Sequence, residues 1–151
     1  MQTPIQERLY RAGCRAVALA RLERFPASVL QFLFRFSVAA VFWNSGLAKL
    51  PSWDTTVALF QEEYRLPFLP PELAATLATG IELGCPVLLV LGLMTRLATL
   101  PLLGMTFVIE AFVYPLHWIE HLGWTSFLLF ILTRGPGRIS LDHWLASWFR
   151  G

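Results

Sequence analysis

Charge is scarce in this chain. Only 15% of its 151 residues are Asp, Glu, Lys or Arg, against 56% hydrophobic, where a soluble domain carries about 25% charged residues. A domain this small cannot bury so much apolar surface within itself. The mean hydropathy of +0.56 therefore points to a bilayer as the surrounding medium. A net charge of +2 is too small for a nucleic-acid footprint, and no nucleic-acid partner is expected. Cysteine is equally sparse. Cys14 falls in a basic leader and Cys85 within a candidate membrane helix, which excludes a disulfide framework and a zinc-type cysteine cluster. Nucleotide-binding glycine loops, serine triads and haem-attachment motifs are missing, so no intrinsic cofactor is expected. A cleavable signal is missing as well: the first apolar run begins near Val29 and carries no small-residue cleavage site.

What remains is hydrophobic length. A bilayer-crossing helix needs about 20 apolar residues for a core about 30 Å thick. Runs over about 29–50, 73–94, 97–116 and 119–133 meet or approach that requirement, the last being short. The expected fold is all-α, a four-transmembrane-helix bundle over residues 29–133. A basic amphipathic leader (1–28) precedes it and an interfacial tail (134–151) follows. "TR" at 95–96 is read as the tight turn between the second and third spans. Gly80 and Gly84 form a small-xxx-small pair suited to close helix approach. In the loop at 51–72, Val57 to Tyr64 is read as a short helix and "LPFLPP" as extended.

Loop charges set orientation, because Lys and Arg accumulate on the cytoplasmic side. Arg8, Arg11, Arg15, Arg21 and Arg24 precede the first span, Arg96 separates the second and third, and Arg134, Arg138 and Arg150 follow the last. Both termini are therefore placed in the cytoplasm. Trp53, Trp118 and Trp124 are read as marking the outer interface. Leu141, Trp144, Leu145, Trp148 and Phe149 share one helical face behind a Ser140 cap, giving a helix that lies in the inner interface.

Ionisable residues inside spans are costly and often mark function. Arg35, Glu82 and Glu110 are three such residues, with Lys49 at the outer edge of the first span. Arg35, Phe42 and Lys49 recur at sevens and share a face. Glu82 falls between the two cations along the membrane normal, so either Lys49 or Arg35 can supply its counter-charge, with Asn44 and Ser45 as supporting hydrogen bonders. The network either locks helix packing or forms a pocket for a quinone head group, a proton path or a small substrate. A second stripe, Thr106, Glu110, Tyr114, His117 and His121, offers a quinone or proton contact, and His117 and His121 could share a metal if one helix runs through them. Pro115 argues against such continuity, no third ligand is evident, and an interfacial cap is the plainer reading.

These elements together resemble the DoxX family of small membrane proteins. The resemblance is carried by Arg35 followed by "SGLAKL" at 45–50, "IELGCPVLLVLGLMTR" at 81–96, "VYPLHWIEHLGW" at 113–124 and "RGPGRISLD" at 134–142. It implies a four-helix membrane bundle. It also implies an association with redox systems, since the name-giving members are subunits of a thiosulfate:quinone oxidoreductase and others accompany oxidative-stress enzymes. Arg35, Lys49 and Glu82 match the family's charged positions. The resulting expectation is a multi-pass protein of the bacterial cytoplasmic membrane. It would act as a subunit of a quinone-linked oxidoreductase, with quinone as ligand, a redox partner protein and homo-oligomer formation. A non-catalytic scaffold for a redox enzyme is the alternative, and a small-solute or metal carrier a third.

Overall fold

The computed structural model describes residues 26–149. The leader helix expected before Pro26 lies outside the described residues. Six α-helices follow: α1 (Ala27–Lys49), α2 (Trp53–Leu59), α3 (Pro71–Leu91), α4 (Thr95–Val108), α5 (Trp118–Arg134) and α6 (Leu141–Trp148). Single π-helical turns extend α2 through Phe60–Tyr64 and α4 through Ile109–Val113. The described chain is all-helical. Three helices, Ala27–Lys49, Pro71–Leu91 and Thr95–Val113, are long and apolar enough to cross a membrane.

The boundaries follow local chemistry. α3 opens with Pro71 at its first position and Glu72 in its first turn, where a missing N–H and a negative charge are both tolerated. It closes at Gly92, whose φ of +68° is left-handed. Leu93 N–H donates to Leu88 O at 3.0 Å and Gly92 N–H to Leu89 O at 3.2 Å, the paired bonds of a Schellman cap. The turn between α3 and α4 is thus Gly92–Met94, and Thr95 and Arg96 already belong to α4. The loop after the π turn makes a turn at Pro67–Phe68 where extended backbone was expected. α6 begins as its sequence suggests: the Ser140 hydroxyl accepts from His143 N–H at 3.2 Å.

α1, α3, α4 and α5 pack in a closed ring, each against two neighbours. Val38, Ala39, Phe42, Leu89, Ala98, Leu102 and Leu128 fill its middle. A smaller cluster of Phe60, Ala74 and Ala75 seats α2 against the start of α3. α1 meets α3 tightly at Gly46. A Cβ on Gly46 would sit 2.8 Å from Leu83 Cδ2 and 3.1 Å from Glu82 Cβ, so a larger residue there would force the Leu83 side chain or the Glu82 turn to shift. Gly80 and Gly84 do not serve this purpose, since a Cβ on either meets nothing within 4 Å.

Candidate functional site

At the end of the ring beside α2, Glu82 is 3% exposed and faces α1. Lys49 Nζ donates to Glu82 Oε2 at 2.8 Å and to Oε1 at 2.9 Å. The Ser45 hydroxyl donates to Oε1 at 3.0 Å and itself accepts from Lys49 Nζ at 3.0 Å. Of the carboxylate's about four lone-pair sites, these bonds leave one open on Oε2. Thr56 supports the arrangement from the loop helix: its hydroxyl donates to Lys49 O at 2.8 Å, satisfying one of the carbonyls that a helix C-terminus leaves unpaired.

This cluster forms one wall of a cavity of about 590 Å³, whose other walls carry Tyr64, Tyr114, His121 and Trp124 among apolar side chains. The volume falls within the about 300–1,000 Å³ of small-molecule sites, which are likewise apolar with a few convergent polar groups. Both π-helical turns contribute to the lining, through Phe60 and Tyr64 on one and Ile109 and Val113 on the other. Such turns recur at functional sites because they re-aim side chains.

His121 is buried, and its Nδ1 hydrogen-bonds Glu110 Oε2. Its ring packs edge-on against Trp124 at 5.1 Å, and Trp124 against Phe42 at 5.9 Å. Trp124 is therefore a half-buried cavity residue, whereas Trp53 and Trp118 are exposed. At the rim, Tyr114 OH donates to Glu63 Oε1 at 2.8 Å, and its ring meets Tyr64 at 5.9 Å. Burial pushes the Tyr64 phenol well above its ordinary range, and the bond to Glu63 leads the causes that raise Tyr114. Both stay protonated at neutral pH.

Several of the residues singled out from sequence lie elsewhere. Arg35 is 0% exposed, but its guanidinium serves the opposite end of the ring, donating to Leu89 O at 3.0 Å and to Ile139 O. It ties α1 to the segment before α6, and Glu82 is answered by Lys49. Asn44 points out of the ring into a groove lined with Trp43 and Val87, because one residue along a helix turns the side chain by about 100°. The stripe from Thr106 to His121 is not one helix. The chain turns at 114–117 beside Pro115; His117, the exposed N-cap of α5, still lines the cavity, and the reversal brings Glu110 to His121. Among the described residues no three His, Cys, Asp or Glu side chains converge as a metal site.

Against known proteins, residues 30–115, more than half of the chain, match the DoxX family profile. The chain belongs to the DoxX family. It is an integral membrane protein with apolar helices. The matched segment contains Lys49, Glu82, Glu110 and Tyr114 and stops before His117, His121 and the C-terminal segment. A protein of Haemophilus influenzae (strain ATCC 51907 / DSM 11121 / KW20 / Rd), described as an uncharacterized protein, is 29% identical over 137 residues, covering 81% of this chain and 87% of that relative. No solved structure matches the chain. Sequence reasoning missed Tyr64, Thr56, Gly46 and Trp124 as parts of the site. Their signal is positional only: each lies within one or two helical turns of a charged residue that was noticed.

Proposed function

We propose that this DoxX-family protein is the membrane subunit of a quinone-linked oxidoreductase or oxidative-stress complex, seating quinone in the cavity beside Glu82. The observation that carries the reading is that Glu82 lines an apolar chamber while its Oε2 accepts only one hydrogen bond, from Lys49. A quinol presents a flat apolar ring and a hydroxyl, which suits that pairing. Quinol oxidation releases two protons and two electrons. Glu82 takes one hydroxyl proton with Lys49 holding the carboxylate in place, the second proton passes to bulk water, and both electrons pass to the partner protein. In the reverse direction a protonated Glu82 gives its proton to the reduced quinone oxygen.

The bilayer placement extends the same reading. α5 has 17 residues and so a length of about 25 Å, slightly short of the core; exposed Trp118 and Arg134 at its ends would anchor it as a fourth span. The arginine distribution supports cytoplasmic termini in a bacterial cytoplasmic membrane.

A second reading, a scaffold for a redox enzyme, draws on exposed apolar side chains at the turn before α5, where Leu116 is 89% and Ile119 68% exposed. Purification from native membranes separates the two, by identifying co-purifying proteins and lipid-soluble cofactors for wild type and Glu82→Gln. The quinone reading expects quinone with wild type and its loss from an otherwise intact complex in the variant. A complex that keeps its activity with Glu82→Gln supports the scaffold.

A further inference from the structure

The opposite end of the ring holds a second pocket, unrelated to the cavity beside Glu82. Its volume is about 420 Å³, and Arg96 from the first turn of α4, Arg134 from the end of α5 and Arg138 from the following loop all line it. Among the described residues, none of these three side chains has a salt bridge or hydrogen bond. Asp142 is the one acidic residue in the lining, and its carboxylate is already committed. It accepts from Met94 N–H at 2.8 Å, from Thr95 N–H at 2.9 Å and from the Thr95 hydroxyl at 2.8 Å. Its charge is absorbed by the N-terminus of α4, which leaves the arginines unanswered among the described residues. The floor is the backbone of Gly135: a Cβ there would lie 3.5 Å from Arg96 Nη2. Beside the pocket, α6 and its C-cap expose Trp144, Trp148 and Phe149, side chains that settle at the boundary between headgroups and acyl chains.

We infer that this pocket binds the phosphodiester of an anionic phospholipid. The guanidiniums are opposite in sign to the single negative charge of a phosphodiester, and their forks suit its two unesterified oxygens. Basic pockets between membrane helices take phospholipid head groups in this way, and the aromatic face of α6 would flank the acyl chains.

The test uses the full chain in phosphatidylcholine nanodiscs doped with phosphatidylglycerol, with retained lipid counted by native mass spectrometry. Wild type is expected to retain phosphatidylglycerol over phosphatidylcholine. Arg96→Gln and Arg138→Gln should each lower that preference about fivefold, the equivalent of the roughly 1 kcal/mol that one basic side chain contributes near an anionic surface. Arg65→Gln, in the loop at the other end, should leave it unchanged. Folding is checked by the thermal transition in pure phosphatidylcholine. A variant that fails this check is replaced by lysine at the same position, which keeps the charge and is expected to weaken retention by less. Equal retention by the wild type and the pocket variants overturns the proposal, as does an equal loss in Arg65→Gln. Displacement of the lipid by an excess of inorganic phosphate would assign the pocket to a soluble anion and overturn the lipid assignment.

Discussion

Lys49 and Glu82 lie 33 positions apart yet behave as one group. Removing either partner strands the other charge in an apolar interior, at a cost of about 3–5 kcal/mol, whereas replacing both with uncharged side chains costs much less. In thermal unfolding, Lys49→Met alone should therefore destabilise more than Lys49→Met combined with Glu82→Gln. A double variant as unstable as the two singles added together would show that the residues are not coupled. That these residues are buried was legible from the spacing of Arg35, Phe42 and Lys49, which are all buried. Which cation answers Glu82 was not, because helix register along the membrane normal is uncertain by about a turn, and two cations of one face bracket the carboxylate. The Tyr64 phenol makes a separate prediction. Its folded value lies above the ordinary 10.0, so the folded state holds the proton more tightly than the unfolded chain. That stability is fully present below pH 10 and is lost as pH rises beyond it. Tyr64→Phe should flatten the alkaline loss of stability, and the phenolate absorbance of one tyrosine should emerge later than that of an exposed phenol.

At the scale of elements, the contact of α1 with α3 depends on Gly46. Gly46→Val should cost about 1–3 kcal/mol by overpacking against Leu83 and the Glu82 turn. Gly80→Ala and Gly84→Ala, which face open space, should be neutral or stabilise by up to about 1 kcal/mol through helix propensity. Thermal unfolding of the three variants in nanodiscs checks both, and the reverse order would mean that the small-xxx-small pair makes the close approach. Hydrophobic run length located every long helix to within a few residues. The turns were harder to read. Gly92 was the capping signal that moved the α3–α4 turn, and Pro115 broke a stripe whose 3- and 4-residue steps otherwise fit one helix. The π turns have no periodicity signature, and without them Tyr64 and Tyr114 could not be placed at the cavity rim.

The whole molecule divides into two ends with different chemistry. One end holds a compensated ion pair, two neutral phenols and a large apolar chamber. The other holds arginines that have no carboxylate partner among the described residues, a buried guanidinium stitching α1 to the C-terminal segment, and an aromatic helix. Composition alone made the membrane class legible, because 56% hydrophobic residues exceed what a chain of this length can bury. The chamber was not legible, since it is bounded by four helices and a loop whose relative rotation no local pattern encodes. Its proposed occupant can be tested directly by equilibrium binding of a short-chain quinol to the full chain in nanodiscs, wild type against Glu82→Gln. Saturable binding by wild type, weakened about 10- to 100-fold in the variant, is what a lost hydrogen bond to a charged group predicts. Equal affinity in the two proteins, or no saturable binding by wild type, would contradict a quinone seat at Glu82.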